Sequence, residues 1–125
     1  MRINSAKDLE VYKKAYYLAM VIYEISKSFP KEELFSLTCQ IRRASRSVCL
    51  NLREAWAKRR HETHFVSKLT DCDGENSETD LLLDFAKDCG YISNVKYQEL
   101  KGLCSEKGKM LGSMINNPKS FITKN

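Results

Sequence analysis

Residues 40–60 read QIRRASRSVCLNLREAWAKRR, and the spacing of their apolar side chains decides the fold. Ile41, Val48, Leu52 and Ala55 recur in steps of three, four and seven, the period of a helix with one buried face. Upstream, Leu34 and Leu37 extend the same stripe. Pro30-Lys31-Glu32-Glu33 supplies a favourable first turn, with the acids near the positive end of the helix dipole. No glycine or proline interrupts residues 31–60, so a single second helix is expected over that range. The quoted stretch also carries seven basic side chains and one carboxylate, Glu54.

Working outward, three more helices account for nearly all the remaining chain. Ser5 and Asp8 resemble a capping box that opens helix one, expected over 5–28. Leu9, Tyr12, Tyr16, Ala19, Met20 and Tyr23 form one apolar stripe along it, and Val11, Ala15, Leu18, Ile22 and Ile25 a second. So wide an apolar surface points to a contact beyond a single core, such as a neighbouring subunit. Phe29-Pro30 ends the helix, because a residue before proline resists helical geometry.

Helix three is expected over 62–88, with Phe65, Leu69, Cys72, Asn76, Thr79, Leu83 and Ala86 on one face and Gly90 as its stop. Asn76 and Thr79 on that face read as a polar layer setting register. Gly74 costs about 1 kcal/mol relative to alanine, but the periodicity stays in phase across it. Ser93 caps helix four, expected over 93–116 with Val95, Leu100, Leu103, Cys104, Met110, Leu111, Met114 and Ile115 along it. Asn116-Asn117-Pro118 ends that helix, and a mobile tail is expected over 118–125. Long amphipathic helices joined by short loops give a single all-α domain, an antiparallel up-down four-helix bundle.

The composition is that of a globular domain: 42% hydrophobic and 30% charged residues among 125, without the signature of disorder. No run approaches the ~18 apolar residues of a membrane helix, and MRINSAKDLE lacks an apolar signal core. The chain is therefore read as cytoplasmic, with no membrane partner. The five cysteines, Cys39, Cys49, Cys72, Cys89 and Cys104, are odd in number and contain no C-x-x-C pair. They read as reduced thiols acting as small hydrophobes, neither a disulfide framework nor a zinc site.

Charge is unevenly distributed. Residues 1–30 carry +2, 31–60 carry +5, 61–90 carry −6 and 91–125 carry +4. At roughly 100° per residue, Arg42, Arg46, Arg53 and Arg60 fall within about 40° of one another on helix two. Arg43, Lys58 and Arg59 widen the charge, and Phe35 and Trp56 lie near the same line. Guanidinium groups bind phosphate bidentately and stack on base planes, so the row is a candidate nucleic-acid-binding site. The competing reading pairs these arginines with the acids of helix three, namely Asp71, Asp73, Glu75, Glu78, Asp80, Asp84 and Asp88. That pairing would occur within the chain or across a subunit interface, making the protein an assembly or adaptor module with a protein partner. Exposed arginines favour the first reading; arginines buried against acids favour the second.

Other chemistry finds little support. His61 and His64 share a helical face, but a metal site needs further ligands and Glu62 points elsewhere. No Glu-x-x-His pair of the bundle di-metal kind occurs. Ser45, Ser47 and Cys49 have no base nearby in the sequence, and no glycine loop cradles phosphate. No catalytic residue, metal or cofactor is expected, and the chain is read as a non-enzyme.

Several motifs also carry a resemblance. Gln40-Ile41-Arg42-Arg43-Ala44, Ser47-Val48, Asn51-Leu52 and Glu54 come in one run. With them come Asp8-Leu9-Glu10-Val11-Tyr12-Lys13-Lys14-Ala15, Phe29-Pro30-Lys31-Glu32-Glu33, Glu78 and Gly90-Tyr91-Ile92. Across about residues 5 to 115, the series resembles the four-helix-bundle family encoded in intervening sequences of bacterial 23S ribosomal RNA genes. That resemblance implies an antiparallel bundle assembled as a ring-like homopentamer, without enzymatic activity and with a role involving RNA. A related branch, the accessory protein of diversity-generating retroelements, implies a basic surface that engages nucleic acid and a reverse transcriptase. The family often has proline where Cys49 stands and glycine where Ala55 stands, so helix two is expected to be straighter and less closely approached here.

Overall fold

The computed structural model describes residues 3–122. Four helices, α1 (Glu10–Ser26), α2 (Leu37–Ala57), α3 (Glu62–Asp88) and α4 (Asn94–Asn116), build an all-α bundle. Each helix packs on its neighbours in sequence, and α1 closes the bundle against α4. The contacts run in opposite directions along neighbouring helices. Glu54 meets Lys68, Val48 meets Cys72 and Arg43 meets Glu78 between α2 and α3. Between α3 and α4, Asp84 meets Tyr97, Asp80 meets Lys101 and Asn76 meets Cys104.

The helix ends follow local chemistry. Gly90 takes φ of 79°, a left-handed conformation that costs glycine little, and Tyr91 N–H reaches back to the carbonyl of Ala86 at 2.8 Å. Ser93 Oγ accepts from Lys96 N at the start of α4. Two expected helix starts are shorter than the periodicity implies. The amides of Asn4 and Ser5 donate to Asp8 Oδ2, as a capping box requires, but they close only a 3-10 turn, Ala6–Asp8. Leu9 is extended before α1 begins.

In the same way, Lys31–Glu33 is a separate 3-10 turn, and α2 begins at Leu37. Glu33 explains the break. Its carboxylate takes the hydroxyl of Ser36 at 2.6 Å and that of Tyr91 at 2.8 Å, holding the turn against the start of α4's connection. The detour leaves Leu34 half-exposed, off the core stripe it was expected to join, and swings Phe35 out to 91% exposure.

The core divides into two apolar clusters. One joins Val11, Tyr12 and Ala15 to Val48, Leu52, Phe65, Leu69 and Leu111. The other joins Leu18 and Ile22 to Ile41, Ala44, Leu83, Leu100 and Cys104. Between them along α2, α3 and α4 lie four buried polar residues, Ser45, Asn76, Thr79 and Lys107. Asn76 Nδ2 donates to the carbonyl of Cys104 at 2.9 Å, while Ser45 and Thr79 donate to carbonyls of their own helices. Lys107 is fully buried, and its Nζ finds no acceptor among the described residues.

On α1, Val11, Ala15, Leu18 and Ile22 face the core, so Tyr16 and Met20 of the other stripe remain exposed. The tail expected from residue 118 starts with a 3-10 turn, Pro118–Ser120. Phe121 returns to Phe65, with ring centroids 6.3 Å apart, because an apolar ring gains by covering the open end of the first cluster. Residues 123–125 lie outside the described residues.

Candidate nucleic-acid interface

Arg42, Arg46 and Arg53 emerge from α2 on the side facing the tyrosines of α1. Arg42 Nε donates to Ser26 Oγ at 2.7 Å, and Ser26 in turn donates to the carbonyl of Tyr23. The guanidinium carbons of Arg42 and Arg46 lie 4.9 and 5.5 Å from the Tyr23 ring centroid. Arg53 Nε donates to the Tyr12 hydroxyl at 3.2 Å, with its guanidinium 5.4 Å from that ring. All three sit within cation–π range. Stacking holds each group on one face while leaving the guanidinium's charge undiminished, so the arginines are oriented without being neutralised.

Five of the seven acids named on α3, Asp71, Glu75, Glu78, Asp80 and Asp84, are paired with other cations or with Arg43, whereas Asp73 and Asp88 have no cation partner among the described residues. Lys101 Nζ bridges Asp80 at 2.7 Å and Asp84 at 2.8 Å. Lys68 reaches Glu54 at 2.7 Å and Asp71 at 3.7 Å. Arg43 alone of the seven candidates meets carboxylates, Glu78 at 3.0 Å and Glu75 at a longer 3.9 Å. These pairings mark the carboxyls. The hydrogen bond from Lys68 holds Glu54 below its ordinary value, and those from Lys101 and Tyr97 do the same for Asp84. Glu75 is raised instead, by burial and by its neighbour Glu78. Arg42, Arg46, Arg53, Lys58, Arg59 and Arg60 have no carboxylate partner among the described residues.

A family model, that of the 23S rRNA-intervening sequence protein, matches residues 7–113. The chain belongs to this family. It is also similar to a crystal structure of a protein of unknown function from the S23 ribosomal protein family of Bacteroides thetaiotaomicron. The two share 28% identity with a TM-score of 0.76, over 85% of this chain and 95% of that one. No curated protein gives a significant match.

Within this intervening-sequence protein, the candidate residues fall into three groups, where the periodicity places Arg42, Arg46, Arg53 and Arg60 in one row and has Arg43, Lys58 and Arg59 widen it. Arg42, Arg46 and Arg53 keep the row. Arg43 turns to α3. Lys58, Arg59 and Arg60 lie beyond the end of α2 at Ala57, in a turn, so Arg60 leaves the helical row. The turn is closed by Arg59, which packs 4.1 Å from the Trp56 ring centroid and donates to the Trp56 carbonyl at 2.8 Å. A cation there also complements the negative end of the helix dipole. Phe35, which lies before α2 and not on it, still shares a groove with Arg42, Arg43 and Arg46.

Two contributions were missed from the sequence. Tyr12 and Tyr23 serve as cation–π partners of the arginines; their spacing on α1 is the available signal, but it reads as apolar surface for the core or a neighbouring subunit. Lys107 carried no signal beyond sitting three residues after Cys104 and four before Leu111. At the exposed start of α3, His61 and His64 have ring centroids 5.6 Å apart. Among the described residues no group of three His, Cys, Asp or Glu is placed to hold a metal. No helix among them is long and apolar enough to cross a membrane.

Proposed function

We propose that this family member is a non-catalytic, cytoplasmic module that binds RNA without reading its sequence. Arg42, Arg46 and Arg53 form the centre of the site, and Arg43, Lys58, Arg59 and Arg60 extend it. One observation carries the reading: Asp71, Glu75, Glu78, Asp80 and Asp84 of α3 are taken by Lys68, Lys101 and Arg43, while Arg42, Arg46 and Arg53 lie over the tyrosines of α1 without a carboxylate among the described residues. A pre-positioned guanidinium loses little freedom when it meets a phosphate, and it can engage that phosphate through two N–H groups at once.

Fluorescence anisotropy of a labelled structured RNA, titrated across a salt series, tests this. Affinity is expected to fall with a log–log slope near −0.7 to −0.9 per phosphate neutralised. An Arg46→Glu, Arg53→Glu double variant is expected to lose most of the affinity while keeping the wild-type mass by light scattering. Absence of binding at low salt overturns the proposal.

A second reading, assembly of copies as the resemblance implies, is favoured by Leu81 and Phe85. These lie one turn apart on α3, each 53% exposed. In that arrangement Asp73 and Asp88, which have no cation partner among the described residues, would take arginines of a neighbouring copy. A Leu81→Glu, Phe85→Glu variant of lower mass than wild type would support this contact.

A further inference from the structure

The arginine row is flanked on both sides by aromatic side chains that the fold leaves in water. On the α1 side, Tyr16 and Tyr17 are 55% and 53% exposed and share a groove with Tyr12, Met20 and Arg53. The rings of Tyr12 and Tyr16 lie 6.3 Å apart and tilted by 30°, within the range of aromatic contact. On the α2 side, Phe35 and Leu50 share the groove of Arg42, Arg43 and Arg46, with Phe35 almost wholly exposed. Tyr12 and Tyr23 already carry guanidinium groups. Tyr16, Tyr17 and Phe35 carry none among the described residues.

Resting on the RNA-binding reading, we propose that the occupant of this surface is single-stranded nucleic acid, its phosphates on the arginine row and its bases stacked on Tyr16, Tyr17 and Phe35. A duplex buries the faces of its bases and offers mainly backbone to a surface like this, since the deep groove of A-form RNA excludes side chains. Binding a duplex would leave all three rings in water. An unpaired strand exposes both of its chemistries at once, charge along the backbone and π-faces along the bases, and stacking of this kind tolerates any sequence. The arginine charge matches a phosphate backbone, and a two-fold contact of this face with itself would set Arg42, Arg46 and Arg53 against their own counterparts. A head-to-tail contact with Asp73 and Asp88 of a neighbouring copy is the competing occupant, and the mass of the aromatic variants separates the two.

The test compares a labelled unstructured polypyrimidine RNA with the same strand annealed to its complement, at equal salt, for wild type, Phe35→Ala and a Tyr16→Ala, Tyr17→Ala double variant. All three residues are more than half exposed, so the core survives their loss, and circular dichroism and light scattering confirm fold and mass. The single strand is expected to bind about tenfold more tightly than the duplex. Each aromatic variant is expected to weaken the single strand by about tenfold, leaving duplex affinity and salt slope unchanged.

Equal affinity for both forms, unaffected by the aromatic variants yet lost in Arg46→Glu, Arg53→Glu, overturns this inference and leaves RNA binding standing. Binding of neither form overturns both. Aromatic variants of lower mass than wild type would assign the face to contact between copies, and that also overturns the inference.

Discussion

Arg53 and Tyr12 are joined twice: Nε of the arginine donates to the tyrosine hydroxyl at 3.2 Å, and the guanidinium lies 5.4 Å from the centre of the same ring. Tyr12 is 9% exposed and belongs to the first core cluster, so one side chain is both a piece of the core and the platform of a surface arginine. The packing of α1 on α2 thereby sets the direction of the positive charge.

That double role separates by mutation. Tyr12→Phe keeps the ring and removes the acceptor, and is expected to cost about 0.5–1.5 kcal/mol in urea denaturation. Tyr12→Ala also empties part of the core and is expected to cost about 3–5 kcal/mol, as for other aromatic truncations. Equal losses for the two variants would mean the ring contributes nothing to packing.

Lys107 makes the opposite trade. Burial lowers the pKa of its amine from the ordinary lysine value of 10.5, and no acceptor meets its Nζ among the described residues. Between the lowered folded value and 10.5 the unfolded chain binds more protons, so this group makes stability rise with pH across that interval. Lys107→Met is expected to stabilise the protein at neutral pH by about 1–3 kcal/mol, the cost of a buried unsatisfied donor. Its advantage over wild type is expected to shrink as pH approaches 10.5. Denaturant midpoints measured at neutral and alkaline pH check both the sign and the trend.

The thiols should divide by burial. Burial pushes Cys72 up to about 12 and Cys104 up to about 11, and raises Cys49 as well, whereas Cys39 and Cys89 are exposed. Only the thiolate attacks a disulfide reagent. At mildly alkaline pH an aromatic disulfide reagent is expected to modify Cys39 and Cys89 quickly in the native protein. The other three are expected to react only after denaturant is added. Fast native modification of Cys72 would contradict its burial.

The clamp of Lys101 on Asp80 and Asp84 ties α3 to α4. Hydrogen bonds from Lys101, then from Tyr97, hold Asp84 below its ordinary value of 3.8. The stabilisation they give is fully present above 3.8 and disappears as pH falls through the lowered folded value. Lys101→Met is therefore expected to destabilise the protein at neutral pH, and the gap between variant and wild type is expected to narrow on acidification. Acid titration of the denaturant midpoint for both proteins reads this directly.

Legibility varied with how local the determining physics is. The α3 face was readable residue by residue, from Phe65 to Ala86, because a single buried stripe repeats with the period of the helix. The starts of α1 and α2 were not. Leu9 and Ser36 leave helical geometry although no proline or glycine stands there, and at Ser36 the carboxylate of Glu33 competes for the local donors. The arginine row is visible as a row, but Arg60 leaves it and Arg43, beside the row, is neutralised. Arg43 turns toward α3's acids, and Arg60 follows the turn that Arg59 closes on Trp56.

Four amphipathic helices, the family pattern, the buried face of α3 and the concentration of positive charge on α2 are all written in the order of residues along the chain. Each is a matter of periodicity or composition along one segment. The packing of helix on helix settled which cations pair with the acids of α3, which residues of α1's wide apolar surface stay in water, and that Lys107 is enclosed between two apolar clusters. Those outcomes depend on distances between helices, where a competitor such as Lys68 or Lys101 reaches a carboxylate first and leaves the arginines to the tyrosines of α1.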